Sequence, residues 1–256
     1  MKNALAVFRT ATAEAAANRR SLGFQMAIMI ANDVAWVGFW ILFFRKVGEV
    51  RGWDANRMLV LFAILTTLGG IALGLFSNCR HVGRLAAGGE LDHVLTLPVD
   101  PLAYTLTRKI EPIFLGDLAF GVVLFVLAGD LTVERTLLYL AASLCGAAVL
   151  IGFLVFGGSL TFFSRGRGEA GELGFQAILL LSSYPLEIFG GATKVLLFTA
   201  VPAAFVSGLP TRLVEDFDVV TAAVLVAAAA GFLGLGSFTF RLGLRRYTSG
   251  ALWTRA

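Results

Sequence analysis

The sequence predicts an all-α polytopic membrane protein, and three observations carry that prediction. Of 256 residues, 57% are hydrophobic and only 15% charged, with a mean hydropathy of +0.81. A water-soluble globule has nowhere to bury so large an apolar share. The 17 Asp and Glu and the 21 Lys and Arg gather in short clusters between stretches that hold almost none. Those stretches have the length that matters, since about 20 residues rising about 1.5 Å each cross a hydrocarbon core of about 30 Å.

Residues 1–21 do not read as a signal peptide, because Arg9 interrupts the apolar run after a few residues; a retained N-terminus is expected. Leu5, Phe8, Thr12 and Ala15 fall at helical spacing with Arg9, Arg19 and Arg20 nearby, which fits an interfacial helix on the cytoplasmic face. A solvated tail fits the same residues. Clear spans follow at 22–44, 58–76, 112–128, 136–163 and 219–240, the third short and the fourth long enough to tilt. The stretch 173–209 is apolar but broken by Tyr184-Pro185, Glu187, Gly190-Gly191, Lys194 and Pro202, so it reads as two spans or as one span and a re-entrant hairpin.

Charge bias separates those two readings, because Lys and Arg in short loops stay on the cytoplasmic side. With six spans and the N-terminus inside, 14 of the 21 Lys and Arg are cytoplasmic, including Arg165, Arg167 and Arg255. Seven spans would move the last four outside and leave only 10 inside. Six transmembrane helices are therefore expected, with both termini cytoplasmic and a re-entrant outer element at 193–209 between spans five and six. Glu215, Asp216 and Asp218 then lie at the outer mouth. No internal repeat divides residues 1–256, which read as one transmembrane domain whose only sizeable loop is the cytoplasmic one at 77–111.

Several function classes are poorly supported. Cys79 and Cys145 are too few for a disulfide scaffold or a four-cysteine zinc site and read as free thiols. The pI near 9.4 reflects basic residues flanking apolar segments, which suits membrane lipid and needs no nucleic acid. His81 and His93 are the only histidines; no His-Glu-x-x-His pattern accompanies them, and no base follows for Ser159 or Ser207. There is no Gly-x-x-x-x-Gly-Lys-Ser/Thr loop for P-loop ATP hydrolysis.

Ionisable groups inside the membrane are the remaining candidates. Asn32 and Asp33 interrupt the first span and Asp117 the third, while Glu187 and Lys194 flank the Gly190-Gly191 break. They suit a polar translocation path, or equally helix-to-helix hydrogen bonds and interfacial anchoring. Gly69, Gly70, Gly74, Gly152, Gly157 and Gly158 are expected to let helices approach closely, and Trp36, Trp40 and Trp53 to anchor at the outer interface.

The loop holds Gly88-Gly89-Glu90-Leu91-Asp92-His93-Val94-Leu95-Thr96-Leu97-Pro98-Val99-Asp100-Pro101-Leu102. This resembles the Gly-x-Leu-Asp-x-x-Leu-x-x-Pro-x-x-Pro-Leu stretch of ATP-binding-cassette (ABC) type-2 exporter permeases, in the uncharacterised branch that occurs as tandem permease pairs. Tyr184-Pro185-Leu186-Glu187-Ile188-Phe189, Val201-Pro202-Ala203-Ala204-Phe205 and Gly243-Leu244-Arg245-Arg246-Tyr247-Thr248-Ser249 resemble the same family. The resemblance implies a permease without an ATPase site of its own, in a bacterial plasma membrane. Its cytoplasmic coupling helix, carried by Gly89, Glu90, Leu91, Asp92, His93, Leu95, Pro98 and Pro101, would dock on a separate ATPase. Two such ATPase subunits, holding ATP and Mg, and a second six-span permease, either a different chain or a second copy, would complete an exporter working by alternating access. No cofactor is implied for this chain. The residues agree, since Glu90 and Asp92 with Val94, Leu95 and Leu97 form a short amphipathic segment that offers carboxylates and an apolar face to a groove. An amphipathic cargo suits the apolar spans, without naming one. A membrane enzyme acting on lipid and a non-transporting scaffold are the alternatives.

Overall fold

In a computed structural model describing residues 2–129, 131–164 and 170–247, each of the five clear apolar stretches is helical. Arg165, Arg167, Arg255, Thr248 and Ser249, which entered the charge count or the C-terminal motif, lie outside the described residues. Helix α1 (Lys2–Ala17) ends before Asn18, whose side chain accepts from Ser21 N–H and caps α2 (Arg19–Val47). Asp54 likewise caps α3 (Ala55–Gly69), which runs on through a π-helical turn, Gly70–Leu75. Past a 3-10 turn (Ser77–Arg80), three short helices occupy the loop: α4 (Val82–Ala87), α5 (Leu91–Leu95) and α6 (Pro101–Thr107). Then come α7 (Pro112–Leu127), α8 (Val133–Ser159), α9 (Ala170–Ser182), α10 (Gly191–Phe198), α11 (Leu209–Glu215) and α12 (Val219–Leu244).

Among the described residues, α2, α3 with its π turn, α8 with its 3-10 extension, and α12 are long and apolar enough to cross a membrane. The α6–α7 pair, bent by 77°, makes a fifth candidate. The chain is a multi-pass helical membrane protein. The fifth predicted span differs: α9 has 13 residues, about 20 Å of helix against a core of about 30 Å. Tyr184-Pro185 stops it, because proline lacks the N–H a continuing helix needs.

Burial assigns the layers. Eighty-three per cent of the apolar window of α3 is enclosed, against 22% for α2 and α12, so α3 is central and the other two are peripheral. Their outward faces carry Phe24, Ile28, Phe39, Leu42, Val220 and Phe238, side chains that only lipid or another apolar surface satisfies. Small residues set the closest seams. Gly70 of the π turn lies against the Leu118 backbone of α7, Gly116 of α7 against Met26 of α2, and Gly152 of α8 against Phe232 of α12. Close packing is the role expected of Gly70 and Gly152, and the structure gives them that role.

The two ends of the bundle are tied differently. At one end, α1 packs on α6, and Arg84 of α4 pairs with Glu172 at the start of α9 (3.8 Å). At the other, Arg135 meets Glu215 at 2.6 Å, and Arg51 donates to the Glu187 and Ile188 carbonyls. Between α10 and α11 a π-helical turn, Ala204–Gly208, inserts against α3, α8 and α9. Its Val206 carbonyl approaches Gly146, the middle of α8.

Candidate functional site

The loop 77–111 is a folded unit closed at its base. Ser77 Oγ donates to the Lys109 carbonyl (2.9 Å), Asn78 Nδ2 to the Thr105 carbonyl (2.8 Å), and Glu111 N–H to the Gly74 carbonyl (3.0 Å). Beside these bonds, Glu111 takes Arg80 at 2.9 Å, Lys109 at 3.3 Å and His81 at 3.6 Å. The Arg80 guanidinium is held between the Phe114 and Phe175 rings, 5.2 and 5.3 Å from their centroids, a cation–π sandwich that joins α7 to α9. Burial by itself pushes the Glu111 carboxyl up, but the His81 hydrogen bond and the Arg80 and Lys109 charges outweigh it and leave a pKa of about 2. Cys79, next to Arg80, is a free thiol that burial pushes up to about 12, and it is inert at neutral pH.

Each residue of the Gly-x-Leu-Asp-x-x-Leu motif has a place. Gly89 has φ +76, the left-handed region where glycine is strain-free, and turns the chain from α4 into α5. Leu91 and Val94 are fully buried and bolt α5 to the core. Asp100 accepts from Ala103 N–H at 2.8 Å and Pro101 fills the first turn of α6, a capped start with no donor wasted. Glu90 bonds Arg108 at 3.0 Å, and Asp92 accepts from the Tyr247 hydroxyl at 2.7 Å. His93, Leu95, Thr96 and Pro98 face outward, with Leu95 45% exposed. The apolar side of this segment is thus turned largely toward the chain's own core. Val94 turns inward, and Asp92 is engaged within the chain.

The intramembrane residues separate into two groups. Asp33 of α2 and Asp117 of α7 are each 6% exposed, and their carboxyls face one another. Gly69 of α3 lies against the pair, its Cβ position 3.8 Å from Asp117 Oδ2. Asn32 is on the exposed side of α2. Glu187 and Lys194 sit at the far end of the bundle, where Glu187 accepts from the Trp53 indole N–H at 2.6 Å and Lys194 is exposed on α10. Trp40 and Trp53 are buried, at 7 and 3%, while Trp36 is 45% exposed. Only Trp36 keeps the exposure an interfacial anchor requires; Trp40 instead packs on Phe44 and Tyr184.

An asparagine amide can donate a hydrogen bond to the facing Asp117 carboxyl. Asp33→Asn is therefore expected to stay within about 1 kcal/mol of wild type. Asp33→Leu, which strands Asp117, is expected to cost on the order of 2–3 kcal/mol. Thermal unfolding in detergent compares the two, and an Asn variant as unstable as the Leu variant would refute the pairing.

Sequence reasoning passed over Arg80, Glu111 and Tyr139, and gave Tyr247 no role beyond its place in the C-terminal motif. The first two stand at span boundaries, where isolated charges are a usable signal; nothing local marks Tyr139, which packs flat on Phe125 (3.9 Å) and bonds Thr67. Among the described residues no group of three His, Cys, Asp or Glu is arranged to hold a metal ion. Residues 30–251 match a family model described as ABC-2 family transporter protein. No curated protein and no solved structure matches the chain.

Proposed function

Because the chain belongs to the ABC-2 transporter family, we propose that it is the membrane-spanning permease subunit of an ATP-driven exporter in a bacterial plasma membrane. The loop 77–111 is the docking element for a separate ATPase that holds ATP and Mg. The observation that carries this is the outward face of α5. Leu95 stands exposed among His93, Thr96 and Pro98 at the C-terminal end of a helix whose Leu91 and Val94 are locked into the core. An apolar side chain presented from a rigid mount is what a groove-binding lever requires.

Six crossings with both termini cytoplasmic fit the ties at the two ends. The segment 170–215 starts beside Arg84 and finishes beside Arg135, at opposite ends of the bundle. A single crossing by this segment, with the 193–209 element dipping in from the outer side toward Gly146, is consistent with those ties. Two ATPase subunits and a second six-span permease, a different chain or another copy, complete the transporter. ATP binding draws the coupling elements together and shifts the permeases between inward-facing and outward-facing states. An amphipathic cargo suits a path with apolar walls and the polar Asn32, Asp33 and Asp117.

Tagged chain purified from native membranes in mild detergent is expected to bring down a P-loop ATPase and a second permease. Leu95→Glu is expected to lose the ATPase while the chain keeps its thermal midpoint, because a buried anchor of this kind contributes about 2 kcal/mol or more to an interface. Full retention of the ATPase by the Leu95→Glu chain would overturn the docking assignment.

A further inference from the structure

The C-terminal Gly243–Tyr247 stretch has no task in the reading above, yet it meets the docking element directly. Asp92 of α5 accepts from the Tyr247 hydroxyl at 2.7 Å, 155 positions away in sequence. The Tyr247 ring stands edge-on to Phe162, 6.0 Å between centroids at 87°. Phe162, at the end of α8, is edge-on in turn to the fully buried Phe240 of α12 at 5.8 Å. It also occupies the space a Cβ on Gly243 would need. Asp100, the cap of α6, pairs with Arg241 one turn back on α12 at 3.3 Å.

These contacts form one joint. Glu90 uses its carboxylate inside the loop, on Arg108, whereas Asp92 and Asp100 reach out of it to the last span. The aromatic contacts then spread any displacement of α5 over the ends of both α8 and α12. Those two helices are in backbone contact at Gly152 and Gly236, so they respond together. A bistable element needs such a rigid connection to the place where it is pushed.

Resting on the docking reading above, we propose that Tyr247 is the positioning residue through which the coupling segment drives α12, its hydroxyl gripping Asp92 and its ring bearing on Phe162. Tyr247 touches neither nucleotide nor cargo. Its part is to convert a shift of α5 into a shift of the last span.

The test uses the complete complex with its ATPase and second permease, in lipid nanodiscs. Spin labels replace Val220 on α12 and Leu127 on α7, both exposed, with Cys145→Ala to remove the accessible thiol. Pulsed electron resonance then reads the distance before and after trapping with ATP, Mg and vanadate. Wild type is expected to shift on trapping. Tyr247→Phe keeps the ring and loses the hydroxyl; it is expected to keep the bound ATPase and its turnover but lose the distance shift. Asp92→Ala removes the same bond from the other side and is expected to lose the distance shift as well, while Asp92→Asn, which retains an acceptor oxygen, is expected to keep the shift. An undiminished shift in both Tyr247→Phe and Asp92→Ala overturns the inference and leaves docking standing. Loss of ATPase binding in Tyr247→Phe overturns it as well, since the residue would then shape the docking face. If wild type carries no ATPase, the docking reading and the inference fall together.

Discussion

Replacing Glu111 with alanine is expected to destabilise the purified chain by on the order of 3 kcal/mol, the size seen when one partner of an enclosed ion pair is removed. The Arg80 and Glu111 side chains are 17 and 15% exposed. Arg80 cannot swing into water without abandoning Phe114 and Phe175. With Glu111 gone, the guanidinium keeps its aromatic walls and loses its counter-charge, which leaves an enclosed, unpaired cation at the base of the loop. The sign of the pH dependence follows from the direction of the shift. Burial alone raises this carboxyl, and the His81 hydrogen bond with the Arg80 and Lys109 charges more than reverses that, giving about 2 against an ordinary value of 4.5. A depressed folded-state value means that the stabilisation is fully present above about pH 4.5 and lost as pH falls from there toward 2. Thermal unfolding in detergent, followed across that window, should show wild type losing stability faster than Glu111→Ala. Parallel curves for the two proteins would mean that Glu111 is not held as described.

Gly152→Val is expected to have an effect at least as large, by a different route. A Cβ on Gly152 would run into the carbonyl carbon of Phe232, and one on Gly236 would lie 2.5 Å from the Gly152 oxygen. Neither obstacle is a side chain that can rotate away, so α8 and α12 must separate along their length. The adjoining Phe153–Phe232 contact, 6.4 Å between centroids, goes with them. Overpacking alone costs about 1–3 kcal/mol; forced separation of two backbones belongs at or beyond the top of that range. The same helix supplies the control. A Cβ on Gly231 or Gly234 would meet nothing within 4 Å, and alanine there is expected to stabilise by up to about 1 kcal/mol through helix propensity. Melting temperatures of Gly152→Val, Gly231→Ala and Gly234→Ala, measured side by side, decide it. Equal midpoints for all three would refute the close crossing.

The docking element shows how far a motif can be read without its surroundings. Its amphipathic character was legible from Glu90 through Leu97, because that depends on residue type and spacing alone. Which apolar residues face inward was not legible. Leu91 and Val94 are bolts and Leu95 is the exposed anchor, a division set by where the rest of the chain lies. Likewise Glu187 was legible as a charge at a helix break, but its partner, Trp53, is 134 positions away.

Hydropathy and charge clustering were by themselves sufficient to establish a helical, multi-pass membrane protein, because transfer into lipid is nearly additive over one window of about 20 residues and needs no knowledge of the others. Tertiary structure alone decided that Asp33 meets Asp117, that Arg80 lies between two rings beside Glu111, and that Tyr247 grips Asp92. Each pair joins residues from different helices, and whether they meet depends on crossings such as Gly70 on Leu118 and Gly152 on Phe232. A pattern along one chain cannot encode those crossings, because they are a property of two surfaces fitted together.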